Sequence, residues 1–78
     1  MHSPLVNARR VLEIIHRNAR TGRHAPLRAA VQLQFEDVEW SNIDFRTGMD
    51  QAIFNGWAHE TGLSIGLTRG GREQIGRG

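Results

Sequence analysis

The sequence predicts a small α+β domain, a three-helix bundle followed by a C-terminal two-stranded β-hairpin. Three observations predict it. Leu5, Ala8, Leu12, Ile15 and Ala19 recur every three or four residues, as one face of a helix does. A second helical pattern runs through Phe45, Met49 and Ala52. After Trp57 the spacing changes to alternation, with Ile65 and Leu67 set between Ser64, Gly66 and Thr68, which is the pattern of a strand. A chain of 78 residues is read as one domain, 1–78, with 70–78 as a possible loose tail.

Composition narrows the class. Hydrophobic residues make up 38% and charged residues 23%, too apolar for a disordered tail. With no cysteine, disulfide frameworks and thiolate metal sites are excluded, and a reducing, cytoplasmic setting fits. No apolar run is long enough to span a membrane or to read as a signal peptide. All the cationic charge is arginine, and it is unevenly placed. Residues 1–28 carry six arginines against Glu13, a balance of +5. Residues 29–60 carry Arg46 against six acids, a balance of −5. Residues 61–78 return to +2. Such asymmetry marks either a nucleic-acid face or a polar dimer surface.

The elements follow in order. Ser3-Pro4 opens the first helix, the serine as cap and the proline at a position whose N–H would have no partner. Thr21-Gly22 stops it, with glycine suited to a left-handed C-cap. Residues 27–36 admit two readings. Pro26 opens a second helix with Leu27, Val31 and Phe35 on one side, or Val31, Leu33 and Phe35 alternate as a strand. The helix is preferred on the propensity of Leu27-Arg28-Ala29-Ala30. Glu36 to Trp40 is an acidic turn or a frayed extension of the helix, with Val38 and Trp40 as anchors. Ser41 or Asn42 caps a third helix whose inner face is Phe45, Met49, Ala52 and Ile53. Asn55-Gly56 either ends that helix, with Trp57 packing beyond it, or turns a two-residue hairpin. Ala58-His59-Glu60, Thr61-Gly62 and Leu63 to Thr68 read as strand, turn and strand. Thr68 is a cap for a short last helix carrying Ile75; otherwise the tail is loose.

The segment Phe45-x3-Met49-x2-Ala52-x3-Gly56-Trp57 resembles the third helix and wing entry of winged helix domains. Leu67-Thr68-x2-Gly71-Arg72-x2-Ile75 is similar to the exit of the second wing strand in bacterial winged helix regulators. The resemblance covers residues 42–76. Here the stretch between the second and third helices is long and acidic, and residues 61–64 make a wing tip with no basic residue. The resemblance implies a DNA-binding, transcription-regulator-like module with its third helix in the major groove. It implies base contacts from Arg46, Thr47, Gln51 and Asn55, of which arginine, glutamine and asparagine can make paired hydrogen bonds to base edges. It implies phosphate contacts from Arg23, Arg28, Arg69 and Arg72.

The charge pattern cuts the other way. Asp44 and Asp50 outnumber Arg46 on the third helix, and Glu36, Asp37 and Glu39 precede it, so phosphates repel that element. A helical wheel turns Ile43 and Phe54 outward beside Thr47 and Asp50. Outward apolar groups fit a second reading, a winged helix protein-interaction or dimerisation module using Ile43 and Phe54 without DNA. Enzymatic function is not expected, because Ser3, Ser41 and Ser64 sit beside no base. His2, His16, His24 and His59 show no metal-ligand spacing. No cofactor or small-molecule substrate is indicated.

Overall fold

A computed structural model of the protein describes residues 2–22 and 25–76. Its elements run α1 (Pro4–Thr21), α2 (Arg28–Phe35), α3 (Asn42–Phe54), β1 (Ala58–Thr61), β2 (Ser64–Leu67) and α4 (Arg69–Gly76). The three-helix bundle and C-terminal hairpin expected from sequence are present, and a fourth helix follows the hairpin.

α1 starts where Ser3 Oγ accepts from the Val6 N–H at 3.2 Å, with Pro4 in the first turn. It ends at Gly22 in extended backbone, φ −115° and ψ 163°, rather than in the expected left-handed turn. The face it buries is Asn7, Ala8, Val11, Leu12, Ile14 and Ile15. The expected stripe ended at Leu5 and Ala19, and both are exposed. The buried face is broader and rotated because α3 packs against one side of α1 while α2 and the hairpin pack along the rest. Burying such aliphatic side chains contributes roughly 1.5–3 kcal/mol each.

The helical reading of residues 27–36 holds from Arg28 onward, with Val31 and Phe35 buried. Leu27 instead lies in an extended piece. The Arg28 N–H donates to Leu63 O at 2.8 Å and the Ile65 N–H to Pro26 O at 2.9 Å, so Pro26–Arg28 runs along β2. Leu27 is therefore exposed rather than on the core face.

Asp37 and Trp40 exchange backbone hydrogen bonds of 2.9 and 3.2 Å, which reverses the chain between α2 and α3. Val38, at the tip of that reversal, is 99% exposed and anchors nothing. Trp40 is half-buried, meeting Phe35 edge-on at 5.5 Å between centroids and stacking on His2 at 3.7 Å. Arg10 joins them. Its Nε and Nη2 donate to Phe35 O at 3.2 and 2.8 Å, and its guanidinium lies 4.4 Å from the Trp40 ring centroid. A carbonyl at the C-terminus of α2, which has no partner within its own helix, is thus satisfied from α1.

α3 ends in a Schellman motif. The Trp57 N–H donates to Ala52 O at 2.8 Å and the Gly56 N–H to Ile53 O at 3.0 Å. Gly56 takes φ 74°, a conformation glycine adopts without steric cost. This is the helix-end reading of Asn55-Gly56, and the hairpin turn falls later. β1 and β2 pair antiparallel from Ala58↔Leu67 to Thr61↔Ser64, which leaves Gly62-Leu63 as the two-residue connection. Gly62 comes first with φ 62°, as a type II′ turn requires. Ala58 and Ile65 carry the hairpin's share of the core.

Thr68 then opens α4. Its Oγ1 accepts from the Gly71 N–H at 3.1 Å and donates to Gly56 O. A Cβ on Gly71 would lie 1.9 Å from Trp57 O, so only glycine fits where α4 crosses the start of the hairpin. Ile75 packs on the core from α4. Arg72 Nη1 donates to Leu67 O at 3.2 Å. Each residue of the Leu67-Thr68-x2-Gly71-Arg72 motif thus has a backbone task at the junction of hairpin and helix.

Candidate nucleic-acid interface

α3 is capped by reciprocal bonds. Ser41 Oγ accepts from the Asp44 N–H at 3.1 Å, and Asp44 Oδ2 accepts from the Ser41 N–H at 3.1 Å. The other carboxylate oxygen, Oδ1, accepts from Asn7 Nδ2 at 3.3 Å and from the His2 N–H at 3.4 Å. Asp44 is buried. Hydrogen bonding from the Ser41 backbone, with smaller help from His2, the Ser41 hydroxyl and Asn7, holds its carboxyl below the usual aspartate range, although burial opposes this. The positive end of the helix dipole favours the same ionised form. Asp44 therefore does not face outward. The open side of α3 presents Arg46 and Asp50 as its charges, which balance, while the helix as a whole keeps the net negative charge of Asp44.

That open side runs through Ile43, Arg46, Asp50 and Phe54, one turn after another, opposite the buried Phe45, Gly48, Met49 and Ala52. Ile43 is 56% and Phe54 86% exposed. Ile53, expected on the inner face, is 41% exposed and joins the outer one. Arg46 and Asp50 are four residues apart without forming an ion pair, and Arg46 has no ion-pair partner among the described residues.

The other sequence candidates are dispersed around this face. Thr47 is half-buried, accepting from Asn7 Nδ2 at 2.8 Å and donating to Asp44 O at 3.1 Å, so its hydroxyl belongs to the cap network. Gln51 and Asn55 are half-buried on the flank, where Gln51 Nε2 donates to Asn55 Oδ1 at 3.0 Å. Arg28 pairs with Glu60 of β1 and lies 5.3 Å from the Phe45 ring centroid. Arg69 pairs with Glu73 at 3.4 Å across one turn of α4. Gly70 sits against Gly56, so Arg69 and Arg72 enter α4 beside the C-terminal end of α3. Arg23 lies outside the described residues. The acids Glu36, Asp37 and Glu39 are all exposed in the turn before the N-terminal end of α3. Three exposed acids thus precede α3, with the Arg10 guanidinium near them on Trp40, and α4 at its other end carries a balance of +1, Arg69 and Arg72 against Glu73.

Two features escaped the sequence reading. The burial of Asp44 had a signal, the Ser41-x2-Asp44 spacing of a capping box. The Arg10 bond to Phe35 O had none, since it joins residues 25 apart.

Among the described residues no group of three His, Cys, Asp or Glu side chains can hold a metal ion, and no helix is long and apolar enough to cross a membrane. Comparison with protein-family models, curated proteins and solved structures returns no match. The fold defines the class, an α+β domain of four helices and an antiparallel hairpin, consistent with a winged-helix-like arrangement.

Proposed function

We propose that the protein is a DNA-binding module of the transcription-regulator type, which lays α3 in the major groove with the hairpin beside it. One observation carries this reading. α3 keeps a whole side uncovered, the acid of its first turn is withdrawn into the cap, and the unpaired Arg46 stands on that side. Arg46 is the base-reading group, through bidentate bonds to guanine. Arg69 and Arg72 are the phosphate-binding groups. Breaking the exposed Arg69–Glu73 pair costs only a few tenths of a kcal/mol. Arg28 is held by Glu60 and Phe45 and contributes less. Gln51 and Asn55 are joined by one hydrogen bond, which leaves Gln51 Oε1 and Asn55 Nδ2 outside that bond.

The test is titration of labelled duplex at about 50 and 200 mM salt. Binding should weaken steeply between the two, and absence of binding at the lower salt would overturn the reading. Exposure of Phe54 and Ile43 supports a second reading, a protein-interaction or dimerisation surface. It requires self-association or partner capture that Phe54→Asp abolishes; a chain that stays monomeric at high concentration and captures nothing counts against it.

A further inference from the structure

The open side of α3 pairs one charged base reader with an aromatic ring left 86% exposed by the described residues. We propose that Phe54 reads a pyrimidine C5-methyl group in the major groove, a few base pairs from the guanine read by Arg46. This rests on the DNA-binding reading above.

The polarity of the surface sets the approach. Glu36, Asp37 and Glu39 disfavour phosphates at the start of α3, while α4 beside its end carries Arg69 and Arg72 against Glu73, a balance of +1 with Arg72 outside the Arg69–Glu73 pair. The end of the helix is where Phe54 projects, 86% exposed. An apolar side chain entering the major groove meets one apolar feature there, the C5-methyl of thymine or of 5-methylcytosine. Eight residues separate Arg46 from Phe54, about 12 Å along the helix axis. That spans three to four base pairs at about 3.4 Å each. Asp50 lies between them on the same side, four residues from each, and accepts from cytosine N4. The site class is therefore a G·C pair followed at that distance by a methylated pyrimidine.

The experiment selects from a random duplex library at about 50 mM salt, then changes the enriched sites one atom group at a time. Replacing the thymine opposite Phe54 by uracil should weaken binding about fourfold, the worth of one buried methyl. Replacing a cytosine there by 5-methylcytosine should strengthen binding to a similar extent, which distinguishes the two sources of the methyl. Phe54→Ala should abolish both effects and leave the guanine preference intact; Arg46→Ala should do the converse. Phe54 is exposed, so its replacement leaves the core untouched. Duplex binding insensitive to the methyl overturns this inference alone. No binding to any duplex overturns it together with the DNA reading. A dimer that Phe54→Asp dissolves, and that excludes duplex, overturns it in favour of a protein surface.

Discussion

Gly48 of α3 rests on the backbone of Asn7 of α1: a Cβ on Gly48 would lie 2.7 Å from both the carbonyl carbon and oxygen of Asn7. The two helices cross there without an intervening side chain. Asn7 can consequently reach both the Asp44 carboxylate and the Thr47 hydroxyl.

Gly48→Ala tests the crossing. Alanine gains up to about 1 kcal/mol in helix propensity. Here the gain is outweighed, because a rigid backbone, not a flexible side chain, must move. We expect a net loss of about 1–3 kcal/mol by urea denaturation. A neutral or stabilised variant would show that the helices separate at little cost.

Gly71→Ala should be more disruptive, since its Cβ would meet Trp57 O at 1.9 Å. We expect α4 to detach, with Ile75 losing its protection in hydrogen exchange. Gly76→Ala is the control: nothing lies within 4 Å of that site, so it should be neutral or slightly stabilising.

Ser41→Ala removes the hydroxyl that receives the Asp44 N–H. The expected cost is about 1 kcal/mol, or a melting temperature lower by roughly 4–8 °C.

Acid should destabilise the domain through Asp44. Its carboxyl is held below the usual range, so the stability it contributes is complete above the unfolded-state pKa of about 3.9. That stability is lost as pH falls through the lower folded-state value. Melting curves of wild type and Asp44→Asn should therefore converge below about pH 4. Parallel curves across that window would mean that Asp44 titrates alike in both states.

If α4 holds phosphate, Arg69→Ala and Arg72→Ala should weaken duplex binding on any sequence. Each should reduce the slope of log affinity against log salt by about 0.9. An unchanged slope would remove them from the interface.

Local signals in the sequence were reliable where a short-range bond enforces them. Ser3-Pro4, Ser41, Gly56 and Thr68 each mark a helix terminus found in the structure. The two-residue turn slipped by one position, because Thr61 pairs with Ser64 and only Gly62-Leu63 remain between them. Long-range relations were not legible. Pro26–Arg28 becomes strand-like only because β2 offers it hydrogen-bond partners nearly 40 residues away. At the candidate interface, periodicity correctly turned Ile43 and Phe54 outward. Formal charge gave the helix its net acidity but not the placement, because counting aspartates does not distinguish Asp44, ionised inside the cap, from Asp50, which faces solvent.

The junction at Gly56 and Trp57 joins the end of α3, the start of the hairpin and the entry to α4 almost wholly through main-chain atoms. Among the described residues no side chain at positions 43, 46, 50 or 54 is hydrogen-bonded into that joint. Positions 43, 46, 50 and 54 are exposed and stand apart from that joint, so their side chains can be exchanged without disturbing the chassis.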